Sequence, residues 1–163
     1  MRGACRYPSN VGFSLFGLIV SIVVLAPNLL LLRFPPRGQN TVARVPRLLE
    51  GVERAGQALC LVVPAITLPG AIVWWWALPA AVALATYYAL WVRYLVTGRE
   101  QAQLYASLWR IPVPMAVMPV LVFLCAAAWL SNPWIALAAV VLAVGHIPVA
   151  LLTRRAILSA RPE

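Results

Sequence analysis

Glu50, Glu53 and Gln57 stand at i, i+3 and i+7, which puts two carboxyls and an amide on one face of a helix. They open a run that is otherwise mostly apolar to Leu68, so Glu53 is not expected far out in water. A carboxylic acid kept protonated in such a setting is a proton donor. The only histidine, His146, lies in another apolar run just before Pro148, where an imidazole can take up a proton. Asn28 follows Pro27, which removes a donor from the local hydrogen-bond ladder. The stretch TYYALWVRYL, 86–95, adds Tyr87, Tyr88, Trp91 and Tyr94, expected on a common face, with Arg93 near its end. Aromatic faces attract cations, worth roughly 0.5–2 kcal/mol each. Acids, an imidazole, a guanidinium and electron-rich rings together suit the generation and guidance of a carbocation from a lipid-soluble polyene.

Each of these residues also has a plainer role. Arg93 can be an anchor whose guanidinium snorkels to a membrane interface. Glu53 can offset a helix dipole, or pair with Arg54 or Arg93. His146 can be a hydrogen-bonded core residue, and Asn28 can bridge backbone groups freed by Pro27. Composition narrows the chemistry further. The chain has no Lys, which removes Schiff-base and pyridoxal chemistry and any Walker A loop. It has no Asp, so Asp-rich motifs that hold magnesium on a prenyl diphosphate are excluded. One His without Asp makes neither a transition-metal site nor a bis-His haem site. Cys5, Cys60 and Cys125 are too dispersed to imply a disulfide framework. No metal and no cofactor are expected. Protonation of an epoxide or alkene remains.

The elements that would position these groups are membrane helices. Of 163 residues, 63% are apolar and 10% charged, with mean hydropathy +0.88, far outside the soluble globular range. Crossing a bilayer takes about 20 apolar residues. Five spans meet that length, at about 11–33, 50–68, 71–96, 111–130 and 134–153, with turns at Pro69–Gly70 and Ser131–Pro133. They make one all-α polytopic bundle, a single membrane domain over 1–163. The first apolar run is too long for the h-region of a cleavable signal. The net charge is +9, and every side-chain cation counted in it is an Arg. Five spans leave Arg2 and Arg6 on one side and the other eleven on the opposite side. By the positive-inside rule the N-terminus is outside and the C-terminus cytoplasmic. The arginines are spread between apolar runs, which fits anionic lipid headgroups rather than nucleic acid.

On this map Asn28, Glu53, the aromatic set and His146 reach the same leaflet from four spans. The fourth span brings IPVPMAVMP, whose three prolines are expected to leave carbonyls unpaired. Trp74, Trp75, Trp76, Trp129 and Trp134 fall where an interfacial aromatic belt belongs, although one ring of the triplet can still face inward. Residues 100–110 are expected to form a short interfacial helix with Tyr105 and Trp109 facing lipid.

The tracts LAPNLLLLRFPP (25–36), LLEGVERAGQ (48–57), YYALWVRYLVTGRE (87–100), IPVPMAVMPVLVF (111–123) and GHIPV (145–149) cover much of the chain. In these tracts the chain looks like a family of small bacterial polytopic proteins. Its size and expected topology resemble the integral-membrane terpene cyclases of actinomycete meroterpenoid and indolosesquiterpenoid pathways. The Arg-only, Ala/Val/Pro-rich composition fits such a source. The resemblance implies a multi-pass protein of the bacterial cytoplasmic membrane that cyclises an epoxidised prenyl chain without metal or cofactor. Glu53 is then the expected proton donor, tuned by Glu50 or Arg93, and His146 takes the terminating proton. Tyr87, Tyr88 and Trp91, with Tyr94 beside them, would line the cation path, while Asn28 and Gln57 orient the acid or the epoxide oxygen. The rival is a carrier or resistance accessory that binds a hydrophobic metabolite, or an anionic lipid, with the same cluster. An odd span count without inverted repeats argues against a lone alternating-access transporter, and leaves a homo-oligomer open.

Overall fold

The computed structural model describes residues 11–37, 41 and 43–160. They form helices, and among the described residues the only β pairing is isolated bridges. Five long helices carry the fold: α1 (Leu15–Arg33), α2 (Arg47–Ile66), α3 (Trp74–Val96), α4 (Pro114–Trp129) and α5 (Pro133–Ser159). Each lies on one of the five expected spans. Three of them, α1, α3 and α5, are long and apolar enough to cross a membrane. The other two fall short for different reasons. In α2, Arg47, Glu50, Glu53 and Arg54 crowd the first two turns. In α4 the sequence is apolar but spans 16 residues, about 24 Å at ~1.5 Å per residue, against a hydrocarbon core of about 30 Å.

Local chemistry sets the helix ends. Ser14 caps α1, its Oγ accepting from the Gly17 N–H at 3.1 Å. Pro27 tightens α1 into a 3-10 turn over Ala26–Leu29. Asn132 caps α5 by accepting from the Trp134 N–H at 3.1 Å, with Pro133 at the first helical position. Pro64 lies inside α2, so the Cys60 carbonyl one turn back loses its helical donor. Ser21 replaces that donor, giving its hydroxyl to the Cys60 carbonyl at 2.8 Å. The three prolines of the fourth span act differently from one another. Pro112 precedes α4 and Pro114 begins it, where a missing N–H costs nothing; Pro119 is the one inside the helix.

Helix contacts are closest where glycines stand. A Cβ added to Gly17 would lie 1.7 Å from the Pro64 carbonyl oxygen, so α1 and α2 touch backbone to backbone. A Cβ on Gly56 would lie 2.5 Å from the Leu142 Cα, and one on Gly145 2.4 Å from the Glu53 nitrogen. These two contacts fix α2 and α5 as an antiparallel pair. Apolar residues also cover the outside. Along α5, Ile135, Ala138, Ala139 and Leu142 are buried, while Trp134, Leu137, Val140 and Val144 are exposed. A helix apolar on all sides belongs in a core or a membrane, and so broad an apolar exterior exceeds the patches of soluble monomers.

The bundle has two chemically distinct ends. One holds the tight turns, where Gly70 donates to the Leu130 carbonyl at 2.8 Å and Val73 to the Trp129 carbonyl at 2.8 Å. Asn132 Nδ2 ties both turns together by donating to Thr67 Oγ1 at 2.8 Å. The other end collects every described arginine. There Tyr94 donates its hydroxyl to the Phe34 carbonyl at 2.9 Å, and Thr41 and Gln101 exchange two hydrogen bonds. Arg2, Arg6 and Arg161, which enter the charge asymmetry, lie outside the described residues. The expected interfacial helix is reduced to one turn, Gln101–Leu104. Beyond it the chain folds back through a Leu108–Ile111 bridge with Trp109 at φ 51°, a conformation no helix accommodates. Trp109 is 97% exposed, whereas Tyr105 turns inward and is half-buried.

Candidate functional site

The sequence separates Glu53 and His146 by most of the chain, and the α2–α5 pair brings them together. His146 Nδ1 and Glu53 Oε1 lie 2.6 Å apart, at the short end of the range for charge-assisted hydrogen bonds. Gly145 explains the approach, because it lets α5 rest on the Glu53 backbone one residue from the imidazole. The Glu53 and His146 side chains remain 18% and 28% exposed. The pair shares a proton whichever atom carries it, and the His146 Nε2 is left as the second site of the ring.

His146 lines a cleft of about 100 Å³ at the arginine end. Asn28 and Leu31 enter it from α1, Tyr87 and Trp91 from α3, and Met115 from α4. Tyr87 donates its hydroxyl to Asn28 Oδ1 at 3.0 Å. That places the Asn28 amide on a side chain, instead of on the backbone groups that Pro27 frees. Tyr87, Trp91 and Tyr94 form a continuous edge-to-face series, with centroids 6.3 and 5.8 Å apart. Trp91 is 4% exposed, and its Nε1 has no hydrogen-bond partner among the described residues. Tyr105 also lines the cleft. Burial pushes its phenol above the ordinary range. It therefore stays a neutral O–H near pH 7.

The remaining sequence candidates are placed differently. Tyr88 does not share the buried face; one residue is 100° around a helix, and its ring is exposed with the hydroxyl on the Val23 carbonyl at 2.8 Å. Tyr94 is fully buried but serves the Phe34 carbonyl and does not line the cleft. Arg93 is half-buried, and its Nε and Nη2 are buried without a partner among the described residues, which a freely snorkelling anchor would not show. Glu50 and Gln57 are half-buried on α2 and do not line the cleft; Glu53 does not line it either, and reaches it only through its contact with His146. Tyr105 was not legible as a cleft residue, because a helical reading of 100–110 turns it toward lipid. Among the described residues no three His, Cys, Asp or Glu side chains gather as a metal site.

No protein-family model, curated protein or solved structure matches the chain.

Proposed function

We propose that the chain is a five-span protein of a bacterial cytoplasmic membrane, N-terminus outside and C-terminus inside, that cyclises an epoxidised prenyl substrate by general-acid catalysis. The observation that carries this reading is the Glu53–His146 pair at 2.6 Å, set beside a cleft lined by Tyr87, Trp91 and Asn28. The pair delivers its proton to the epoxide oxygen as a C–O bond breaks, and the bonding electrons stay on oxygen as a hydroxyl. Alkene π electrons attack the carbon left electron-poor, closing a ring and moving the cation along the chain. A C–H proton then returns to the pair, so product and substrate have the same mass. Tyr87 and Trp91 offer ring faces to the cation, at roughly 0.5–2 kcal/mol each. An epoxide suits the pair better than an alkene. Its oxygen accepts a hydrogen bond before opening, whereas alkene protonation demands a far stronger acid than a carboxyl held against imidazole.

Membranes carrying the protein, incubated with epoxidised prenyl substrates, should yield an isomer of unchanged mass. Glu53→Gln at equal expression should abolish it. Full turnover by that variant would move the acid elsewhere and end this mechanism. The rival carrier function draws support from a larger apolar cavity described below. It predicts binding of the same substrates with no isomer formed by either protein.

A further inference from the structure

A cleft of about 100 Å³ is smaller than ordinary small-molecule sites, so it suits an oxygenated end rather than a whole prenyl substrate. A second cavity of about 410 Å³ lies nearer the turn end, within the roughly 300–1,000 Å³ of small-molecule sites. Its walls are aliphatic and alanine side chains, and Trp74 and Trp129 line it too. Trp129 packs against Phe16 and Trp74 at 5.9 and 5.7 Å. The Trp129 Nε1 is buried without a hydrogen-bond partner among the described residues.

The two cavities are successive along one seam of three helices. On α1, Val20 and Val24 line the apolar cavity, and Asn28, four residues on, lines the cleft. On α3, Ala80 and Leu84 give way to Tyr87 and Trp91; on α4, Ala126 and Val122 give way to Ala116 and Met115. The Tyr87–Asn28 hydrogen bond crosses from α3 to α1 at the boundary.

We propose that the apolar cavity is a tail site: it holds the hydrocarbon chain of a prenyl substrate whose oxygenated end lies at Glu53–His146. The chain runs from the cleft past Tyr87 toward Trp74 and Trp129. This assignment rests on the cleft as the reacting end, and it makes Tyr87–Asn28 the partition the chain must pass. Alanines at 80, 81 and 126 supply the width, since a larger side chain at any of them would occupy the space of the chain.

Photolabelling of the full chain in lipid nanodiscs tests the order. One prenyl alcohol carries a diazirine at the hydrocarbon terminus, and a second carries it beside the hydroxyl. The terminal probe should mark Trp74, residues 77–84 and Trp129, and the second should mark Asn28 and residues 87–91. Excess unlabelled prenyl alcohol should suppress both sets. Ala81→Phe, a change at an exposed wall position that packing tolerates, should reduce the terminal adducts several-fold and spare those at the cleft. Reversed order, or adducts of both probes spread over Leu137, Val140 and Val144 on the outer face of α5 without competition, would overturn the tail site. Ordered adducts without any isomer keep the tail site and remove the cyclase activity. An isomer formed while the adducts are unordered does the reverse.

Discussion

At the scale of single residues, the proposed chemistry depends on His146 and Glu53 acting as one unit. Separate donor and acceptor residues, the simplest expectation from sequence, would need a proton to travel between them after each turnover. A contact of 2.6 Å removes that journey. His146→Gln keeps a polar side chain but cannot relay a proton. It should lower the initial rate of isomer formation by roughly a hundredfold to ten-thousandfold, the usual worth of general acid–base catalysis, measured in membranes with equal protein. A rate near that of the parent chain would reduce His146 to a structural partner of Glu53. Trp91 should behave differently, because its ring meets the cation after the acid has acted. Trp91→Leu should change the distribution of products more than the total rate, read by chromatography of the isomers. An unaltered distribution would mean the cation never meets the indole.

At the scale of elements, the α2–α5 contact governs whether the pair forms. Gly145→Ala drives a methyl into the Glu53 backbone, and overpacking of this kind costs about 1–3 kcal/mol. The variant should melt lower in detergent and lose isomer formation along with the Glu53–His146 contact. Gly51→Ala is the control: no atom lies within 4 Å of its added Cβ, so stability should hold or rise by about 0.5–1 kcal/mol. The positions of all five helices were legible from hydropathy and from the turn residues Pro69, Gly70, Ser131 and Pro133. Their ends were less so. Hydropathy ends the last span near Thr153, yet α5 runs through Arg154 and Arg155 to Ser159, because arginine favours helix while opposing burial in lipid. Asn28, Tyr87, Trp91 and His146 line one cleft, and their places along the apolar runs foretold that they share one end of the bundle. Azimuth is less legible: Tyr88 stands 100° from Tyr87 and leaves its face, and a helical reading of 100–110 turns Tyr105 away from the cleft it lines.

At the scale of the whole molecule, every described arginine belongs to the end that bears the cleft, and none to the end of tight turns. If the five helices cross a membrane as proposed, the two ends meet different compartments. In a Cys5→Ser background, Ser131→Cys should react with a membrane-impermeant maleimide in intact cells, and Ser107→Cys only after lysis. Equal labelling of both would contradict five crossings. The short α4 and the charged start of α2 need not prevent this, because both pack against longer helices that set the thickness they must match. One consequence follows for biogenesis. Glu53 belongs to the second helix to leave the ribosome and His146 to the fifth, and their contact depends on Gly145 docking against the Glu53 backbone. Until the fifth helix is made, the growing chain carries a carboxyl without its imidazole. On the proposed function, the acid pair comes into being only as the last helix docks, so a nascent or truncated chain would be silent toward an epoxide substrate.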